Sequence, residues 1–191
     1  IDANLSGQIV GVISNKPEAY ALQRAENAGI ATAVIEHKQY PHREAFDDVM
    51  HQQLLDWDVD LVVLAGFMRI LSEKFVSAWE GKMINIHPSL LPHYKGMHTH
   101  QRVLNTGDQL HGCTVHYVTA ELDAGQALAQ GVLKVGSHDG VNSLAQRVHT
   151  LEHIIYPQVV EWICTQTIQH TDQGVLYRDT LMHEPIQFCK F

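Results

Sequence analysis

Residues 59–65, V-D-L-V-V-L-A, decide the fold class of this chain. The segment is short, apolar and rich in β-branched side chains, which is typical of a strand buried on both faces of a parallel sheet. A second segment of this kind, residues 82–86, follows a stretch that begins with the potential helix cap Ser72. Two buried strands separated by a helix predict parallel strands joined by a right-handed crossover.

The same alternation extends to both sides of this pair. Strands are also predicted over residues 8–14, 30–36, 113–119 and 127–135, the last two as antiparallel neighbours. Helices are predicted from residue 17 to Gly29, over residues 42–57, near residues 101–105 and along the amphipathic stretch 144–162. Residues 171–191 form a tail, in which a hairpin and a coil are expected from residue 175 onward. The pattern therefore predicts one α/β domain over residues 1–191, with a Rossmann-like, mostly parallel twisted sheet and helices on both faces.

The composition excludes several classes of protein. With 45% hydrophobic and 18% charged residues among 191, the chain is neither disordered nor fibrous. No apolar run approaches the roughly 18 residues that a membrane helix needs. The net charge of −8 argues against bulk binding to nucleic acid, and an anionic substrate would require a locally positive pocket.

Cysteine and histidine usage adds to these expectations. The three cysteines, Cys113, Cys164 and Cys189, are odd in number and match no metal pattern, which predicts reduced thiols in a cytoplasmic protein. Protonation of all 14 histidines would reverse the sign of the net charge, so association or stability is expected to depend on pH between about 5 and 7. We expect small-molecule substrates, no nucleic-acid or membrane partner, and a monomer or homodimer.

The motif N-x-H at the end of the strand over residues 82–86 is the first candidate for chemistry. Asn85 and His87 are two residues apart on an extended segment, so their side chains share a face, and Pro88 disfavours a helical turn there. An amide and an imidazole supply hydrogen-bond donors for the negative oxygen that develops in acyl transfer. Asp123, in the turn E-L-D-A-G, is the leading candidate for a carboxylate that keeps His87 charged. The spacing alone leaves an alternative to this catalytic interpretation, in which Asn85 caps a turn and His87 is an ordinary loop residue.

Four longer strings carry a family resemblance. They are A-G-F-M-R-I-L at 65–71, N-I-H-P-S-L-L-P at 85–92, H-T-H at 98–100 and H-G-C-T-V-H-Y-V-T-A-E-L-D-A-G at 111–125. Together with Gly96, these strings resemble the folate-dependent formyltransferases, and most closely the branch that formylates glycinamide ribonucleotide in purine biosynthesis. The resemblance extends from about residue 9 to residue 162, with the motifs in the same order.

The resemblance implies a reaction and a set of site residues. The formyl donor would be 10-formyltetrahydrofolate as a co-substrate, without a metal, and the acceptor would be the amine of glycinamide ribonucleotide. Asn85 and His87 would stabilise the tetrahedral intermediate, and Asp123 would assist proton transfer. The residues matched to the folate site are Arg43, Met68, Arg69, Ile70, Leu71, Val118, Thr119, Ala120, Glu121 and Leu122. Those matched to the acceptor site are Glu152, His98 and His116.

Some of these residues have simpler interpretations. Glu152 lies off the apolar stripe of its helix and would equally suit a solvated position. A charge such as Arg69 after an apolar strand is expected at a cleft or an edge. His98 and His100 would suit a first helical turn that faces solvent, and for His100 we favour that position. A zinc site formed by His93, His98 and His100 lacks a fourth ligand, so no metal is expected.

The sequence also departs from the family at its start. Relatives begin with a strand and a Gly/Ser/Asn-rich loop that holds the substrate phosphate, whereas residues 1–3 resemble the stretch that follows. We therefore expect the first strand and its loop to be absent from this chain, which leaves a sheet position open and an edge exposed. The alternatives to a transferase are a formyltetrahydrofolate hydrolase and a non-catalytic folate-binding module.

Overall fold

The computed structural model describes residues 5–190, with only the backbone at Lys190. The similarity assigned to residues 1–3 falls outside this range. The strands are β1 (Gly11–Ser14), β2 (Ala31–Val34), β3 (Val62–Leu64), β4 (Met83–His87), β5 (Leu110–Tyr117), β6 (Ala127–Lys134), β7 (Ile168–Thr171), β8 (Gly174–Tyr177), β9 (Thr180–Leu181) and β10 (Ile186–Lys190). The helices are α1 (Tyr20–Asn27), α2 (Arg43–Asp56), α3 (Glu73–Ala78), α4 (Thr99–Thr106) and α5 (Val141–Cys164), with a 3₁₀ turn at His37–Gln39.

The strands of residues 5–190 form a central sheet and two smaller ones. The central sheet has the order β10-β6-β5-β4-β3, in which β3 is parallel to β4, β6 is parallel to β10, and β5 is antiparallel to both its neighbours. A second sheet is the parallel pair β1–β2, and a third is the antiparallel set β7-β8-β9. The predicted α/β class is confirmed, as is the antiparallel pairing of β5 with β6.

Two cores lie on opposite faces of β4. Met83 and Ile84 are adjacent on this strand, and neither has exposed surface. Because successive side chains of a strand point to opposite faces, each enters a different core. Met83 packs in the core that α2 and α3 cover, and Ile84 packs in the core that α5 covers. The prediction of helices on both faces of the sheet is therefore confirmed.

The burial predicted for residues 59–65 is wrong. The strand there, β3, has three residues and lies at the edge of the central sheet, where Val63 is 42% exposed. The strand β1 is likewise only half-buried along its length. An apolar segment does not indicate whether a strand has a neighbour on both sides.

The coil predicted for the tail is also wrong. The strands β7, β8 and β9 do form hairpins, but β10 pairs in parallel with β6. This last strand therefore extends the central sheet at the edge opposite β3. Among the helices of residues 5–190, none combines the length and the apolar character that crossing a membrane requires.

Candidate active site

The carboxyl ends of β3 and β4 bring the candidate residues to one edge of the sheet. Asn85 and His87 lie at the end of β4, and the antiparallel register places His116 of β5 opposite Asn85. Tyr156 of α5 holds the two parallel strands together, because its hydroxyl lies 2.6 Å from the carbonyl oxygen of Leu64 and 3.1 Å from that of Ile84. Desolvation raises the pKa of the Tyr156 hydroxyl well above its usual value, so it remains a hydrogen-bond donor.

His87 is held through both nitrogens of its ring. Its side chain is 8% exposed, and Nδ1 lies 3.5 Å from Oδ2 of Asp123. On the other side of the ring, Nε2 lies 3.0 Å from the carbonyl oxygen of Tyr94. Both neighbours are hydrogen-bond acceptors, so the doubly protonated imidazolium can donate to each of them. This arrangement suits a cationic group that is positioned beside a developing negative charge.

Asp123 is fixed by the turn that follows β5. Its backbone has φ +49°, a left-handed conformation that Asp tolerates better than most residues. Oδ2 of its carboxylate accepts a hydrogen bond of 2.9 Å from the backbone N–H of Gly96. Oδ1 lies 3.9 Å from Nε2 of His116. The turn is packed so closely that a Cβ added at Gly125 would lie 1.8 Å from the carbonyl oxygen of Tyr117.

The hydrogen bonds of His116 define the role of Asn85. Nδ1 of His116 lies 2.8 Å from the carbonyl oxygen of Tyr117, so it carries the proton and donates. Burial lowers the pKa of His116, which favours the neutral ring with a free lone pair on Nε2. The amide Nδ2 of Asn85, at 3.3 Å, donates to that nitrogen. Asn85 therefore has its amide oriented toward the cleft by a buried partner.

Buried polar side chains support the segment that follows the N-x-H motif. The hydroxyl of Thr114 donates to the carbonyl oxygen of Ser89 over 2.7 Å and accepts from the backbone N–H of Leu91 over 3.0 Å. Nε2 of Gln130 donates to the carbonyl oxygen of Leu91 over 2.8 Å. Sequence reasoning missed these residues. Their signal was a polar, uncharged side chain inside each of the two predicted strands, Thr114 in β5 and Gln130 in β6.

A cleft opens beside these residues and contains most of the predicted folate residues. It is lined by Leu64, Phe67, Arg69, Ile70, Leu71, Val76, Asn85, His116, Val118, Thr119, Ala120, Glu121, Leu122 and Asp123. Eight of the fourteen lining residues are apolar and six are polar, a mixture that suits a flat heteroaromatic ligand with hydrogen-bonding groups. Sequence reasoning missed Phe67, although it lies inside the recognised motif A-G-F-M-R-I-L, and it missed the wall formed by Leu64 and Val76.

Five predicted site residues lie outside the lining of this cleft, and the buried His87 is one of them. Arg43 is exposed at the start of α2 and forms an ion pair of 3.3 Å with Glu44. The side chain of Met68 points into solvent and is 72% exposed. His98 is exposed at the residue that precedes α4, with φ +59°. Glu152 is half-buried on α5, and this burial raises the pKa of its carboxyl.

The solvent-facing position favoured for His100 is wrong. Its Nδ1 lies 2.9 Å from Nε2 of His111, a residue that is only 1% exposed. Burial lowers the pKa of His111 to about 4. Its Nδ1 has no hydrogen-bond partner in the part of the chain that the structure describes. Within residues 5–190, no group of three or more His, Cys, Asp or Glu side chains is arranged to hold a metal ion.

The fold and the site together define an α/β protein with an amide, an imidazole and a carboxylate at the carboxyl edge of its sheet. A family profile described as "Formyl transferase" matches residues 1–160. The chain therefore belongs to the formyl transferase family, as the resemblance in its motifs indicated.

Individual relatives agree with this assignment. The chain is 46% identical over 158 residues to the phosphoribosylglycinamide formyltransferase of Escherichia coli, covering 83% of this chain and 74% of the relative. It is also 46% identical over 173 residues to the human trifunctional purine biosynthetic protein adenosine-3, covering 91% of this chain. The matched part is 17% of that relative, so the chain spans about a sixth of the length of the trifunctional protein.

Solved structures are similar in both sequence and shape. The phosphoribosylglycinamide formyltransferase from Coxiella burnetii superposes with a TM-score of 0.90 at 42% identity, covering 96% of this chain and 88% of the other. The enzyme of the same name from Anaplasma phagocytophilum gives a TM-score of 0.86 at 40% identity, with 97% and 88% covered.

Proposed function

We propose that this chain transfers the formyl group of 10-formyltetrahydrofolate to the amine of glycinamide ribonucleotide in purine biosynthesis. The observation that carries the proposal is the carboxylate of Asp123, which lines the cleft together with Asn85 and lies 3.5 Å from Nδ1 of His87. Relatives at 43–46% identity over most of the chain bear the name phosphoribosylglycinamide formyltransferase, which supports the same reaction. Small molecules are thus the proposed partners, and a monomer or homodimer is the proposed assembly. The free thiols of Cys113, Cys164 and Cys189 suit the proposed cytoplasmic location.

The proposed mechanism needs no covalent enzyme intermediate. The free amine of the ribonucleotide attacks the formyl carbon, and the carbonyl oxygen becomes an oxyanion. Asn85 and the imidazolium of His87 are the donors for that oxygen, once Nε2 of His87 exchanges the carbonyl of Tyr94 for it. Asp123 keeps His87 charged and accepts the proton that the amine loses, directly or through water. As the oxyanion reforms the carbonyl, the bond between the formyl carbon and N10 breaks, and Asp123 passes the proton taken from the amine to N10, directly or through water.

The remaining assignments follow the family resemblance. We assign the pterin to the cleft segments around Arg69–Leu71 and Val118–Leu122, and the acceptor to the side of His116. Glu152 and His98 are proposed to reach the ribonucleotide, and Arg43 and Met68 to lie at the outer end of the folate. In the described residues, His116 is the member of the acceptor set that lines the cleft.

The test follows loss of the formyl group from 10-formyltetrahydrofolate by absorbance, with the full-length protein, in the presence and absence of glycinamide ribonucleotide. The proposal expects release only when the ribonucleotide is present. Release into water without an acceptor would identify a formyltetrahydrofolate hydrolase. Folate binding with no release under either condition would identify a non-catalytic binding module.

A further inference from the structure

A short loop before α4 contacts both His87 and Asp123 of the candidate active site. We refer to residues 94–97, Y-K-G-M, as the strap. The carbonyl oxygen of Tyr94 lies 3.0 Å from Nε2 of His87, and the backbone N–H of Gly96 donates to Oδ2 of Asp123 over 2.9 Å. In the proposed mechanism His87 releases the carbonyl of Tyr94, whereas the hydrogen bond from Gly96 persists. The strap therefore helps to fix the carboxylate.

The backbone of the strap is held in an unfavourable conformation. Tyr94 has φ +57° and Gly96 has φ +78°, and His98, directly after the strap, has φ +59°. Tyrosine and histidine rarely adopt this left-handed region, because their Cβ atoms crowd the backbone there. Such a conformation persists only where contacts with the surroundings enforce it. The strap must therefore be tied to a neighbouring element.

Arg102, an exposed residue of α4, ties the strap to its helix through one side chain. Its Nη1 donates to the carbonyl oxygen of Lys95 over 2.6 Å and to that of Met97 over 3.4 Å. These two residues flank Gly96, so one guanidinium holds the backbone on both sides of the N–H that the carboxylate uses. The guanidinium carbon also lies 5.3 Å from the centre of the Tyr94 ring. A planar, delocalised cation suits this combination of contacts better than an ammonium group does.

The side chain of Tyr94 ties the other end of the strap. Its hydroxyl donates to the carboxylate of Asp108 and lies 2.6 Å from Oγ1 of Thr106, at the end of α4. These contacts fix the position of Tyr94 and leave the backbone around Gly96 to Arg102. The two ends of the strap thus depend on different side chains.

The charge of Arg102 is directed at the strap and not at an acidic partner. No salt bridge within residues 5–190 includes Arg102. An ion pair of 3.1 Å also joins Lys95 of the strap to Glu121, whose side chain is 78% exposed. Because solvent weakens exposed ion pairs, this contact is the weaker tie. Arg102 is therefore the side chain on which the backbone at Gly96 chiefly depends.

We propose that Arg102 is a positioning residue for the formyl transfer. By holding the backbone on both sides of Gly96, it keeps the N–H of that residue on the carboxylate of Asp123. The inference rests on the proposed function, since it requires Asp123 to take part in the reaction. Arg102 does not line the cleft, so its loss should lower kcat and leave the KM for the folate nearly unchanged.

The experiment measures kcat and the KM of both substrates in Arg102→Ala, Arg102→Lys and the control Arg178→Ala. Arg178 is matched to Arg102, because it is exposed and its guanidinium carbon lies 5.1 Å from the centre of the Tyr177 ring. Arg102→Ala should lower kcat by about 10- to 100-fold, since small displacements of a catalytic group are costly. Arg102→Lys should lose less, and Arg178→Ala should leave kcat unchanged.

Two further readouts separate positioning from a general loss of structure. Guanidinium chloride at millimolar concentration should restore part of the kcat of Arg102→Ala, and sodium chloride at the same ionic strength should not. Arg102→Ala should also cost much less when it is combined with Asp123→Asn than when it is made alone, because the charge that Arg102 positions is then already missing.

Three results would overturn the inference while the transferase stands. The first is a kcat in Arg102→Ala within about twofold of the wild-type value. The second is full additivity of Arg102→Ala and Asp123→Asn. The third is a raised KM for the ribonucleotide at an unaltered kcat, which would make Arg102 a substrate-binding residue. If Arg102→Ala does not fold, Arg102→Lys provides the same comparison. Absence of formyl transfer in the wild-type protein would contradict the proposed function itself.

Discussion

At the scale of single residues, the carboxylate of Asp123 connects the parts of the candidate active site. It accepts from the backbone N–H of Gly96, lies 3.5 Å from Nδ1 of His87 and approaches His116. In the proposed mechanism, this carboxylate orients His87, stabilises its charged form and receives a proton. An amide of the same shape could retain only the orientation.

Asp123→Asn is therefore expected to reduce turnover by about 10²- to 10⁴-fold, because the amide neither takes up a proton nor stabilises an imidazolium. Folate binding should persist, since the apolar walls of the cleft are unchanged. The measurements are kcat in the absorbance assay and folate affinity by protein fluorescence. Asp60→Asn, which removes an exposed carboxylate near the other end of β3, is the matched control. Undiminished turnover in Asp123→Asn would exclude Asp123 from the mechanism.

At the scale of secondary-structure elements, α5 holds the strand ends that carry the site. The hydroxyl of Tyr156 donates to the carbonyl oxygens of Leu64 on β3 and Ile84 on β4.

Tyr156→Phe leaves both oxygens without this donor and should lower the free energy of unfolding by about 1–3 kcal/mol. Urea denaturation measures the change. Tyr20→Phe, at a position that is 71% exposed, should cost far less. Equal costs for the two variants would mean that the Tyr156 hydrogen bonds contribute nothing net.

The turn between β5 and β6 is the second element on which the site depends. A Cβ at Gly125 would lie 1.8 Å from the carbonyl oxygen of Tyr117, so Gly125→Ala must displace the turn that carries Asp123. We expect at least a tenfold loss of kcat, since small displacements of a catalytic group are costly. Gly140→Ala is the control, because no atom lies within 4 Å of the added Cβ there. Near-normal kcat in Gly125→Ala would show that Asp123 does not require this turn geometry.

The elements also show what a sequence pattern can and cannot predict. Residue type and spacing correctly indicated that Ser72 caps α3 and that Asn85 and His87 share a face of β4, since these depend on neighbours along the chain. The edge position of β3, the pairing of β10 with β6 and the contact of His100 with His111 depend on residues far away in sequence. The pattern of apolar and polar residues along the chain indicates which side chains are expected to be buried. It does not indicate which helix or strand covers them.

At the level of the whole molecule, buried histidines make the stability of the fold depend on pH. Burial lowers the pKa of His100, His111 and His116, and for His111 it does so to about 4 from an ordinary value of 6.5. The three residues lie around the candidate active site and are neutral in the folded chain at neutral pH. In the unfolded chain they face water and take up protons near their ordinary pKa.

Stability should therefore fall as the solution is acidified from about pH 6.5 toward pH 4, because over that range the unfolded chain binds protons that folded His111 does not. The stabilisation is fully present above the unfolded pKa, and the loss from His111 alone is about 3 kcal/mol by pH 4.

The free energy of unfolding in urea, measured at several pH values, gives the slope of stability against pH. His111→Gln keeps a hydrogen-bonding partner for His100 without titrating, and it should flatten the slope. His138→Gln removes an exposed imidazole and should leave the slope unchanged. If His111→Gln kept the full slope, the acid sensitivity would have to come from other groups.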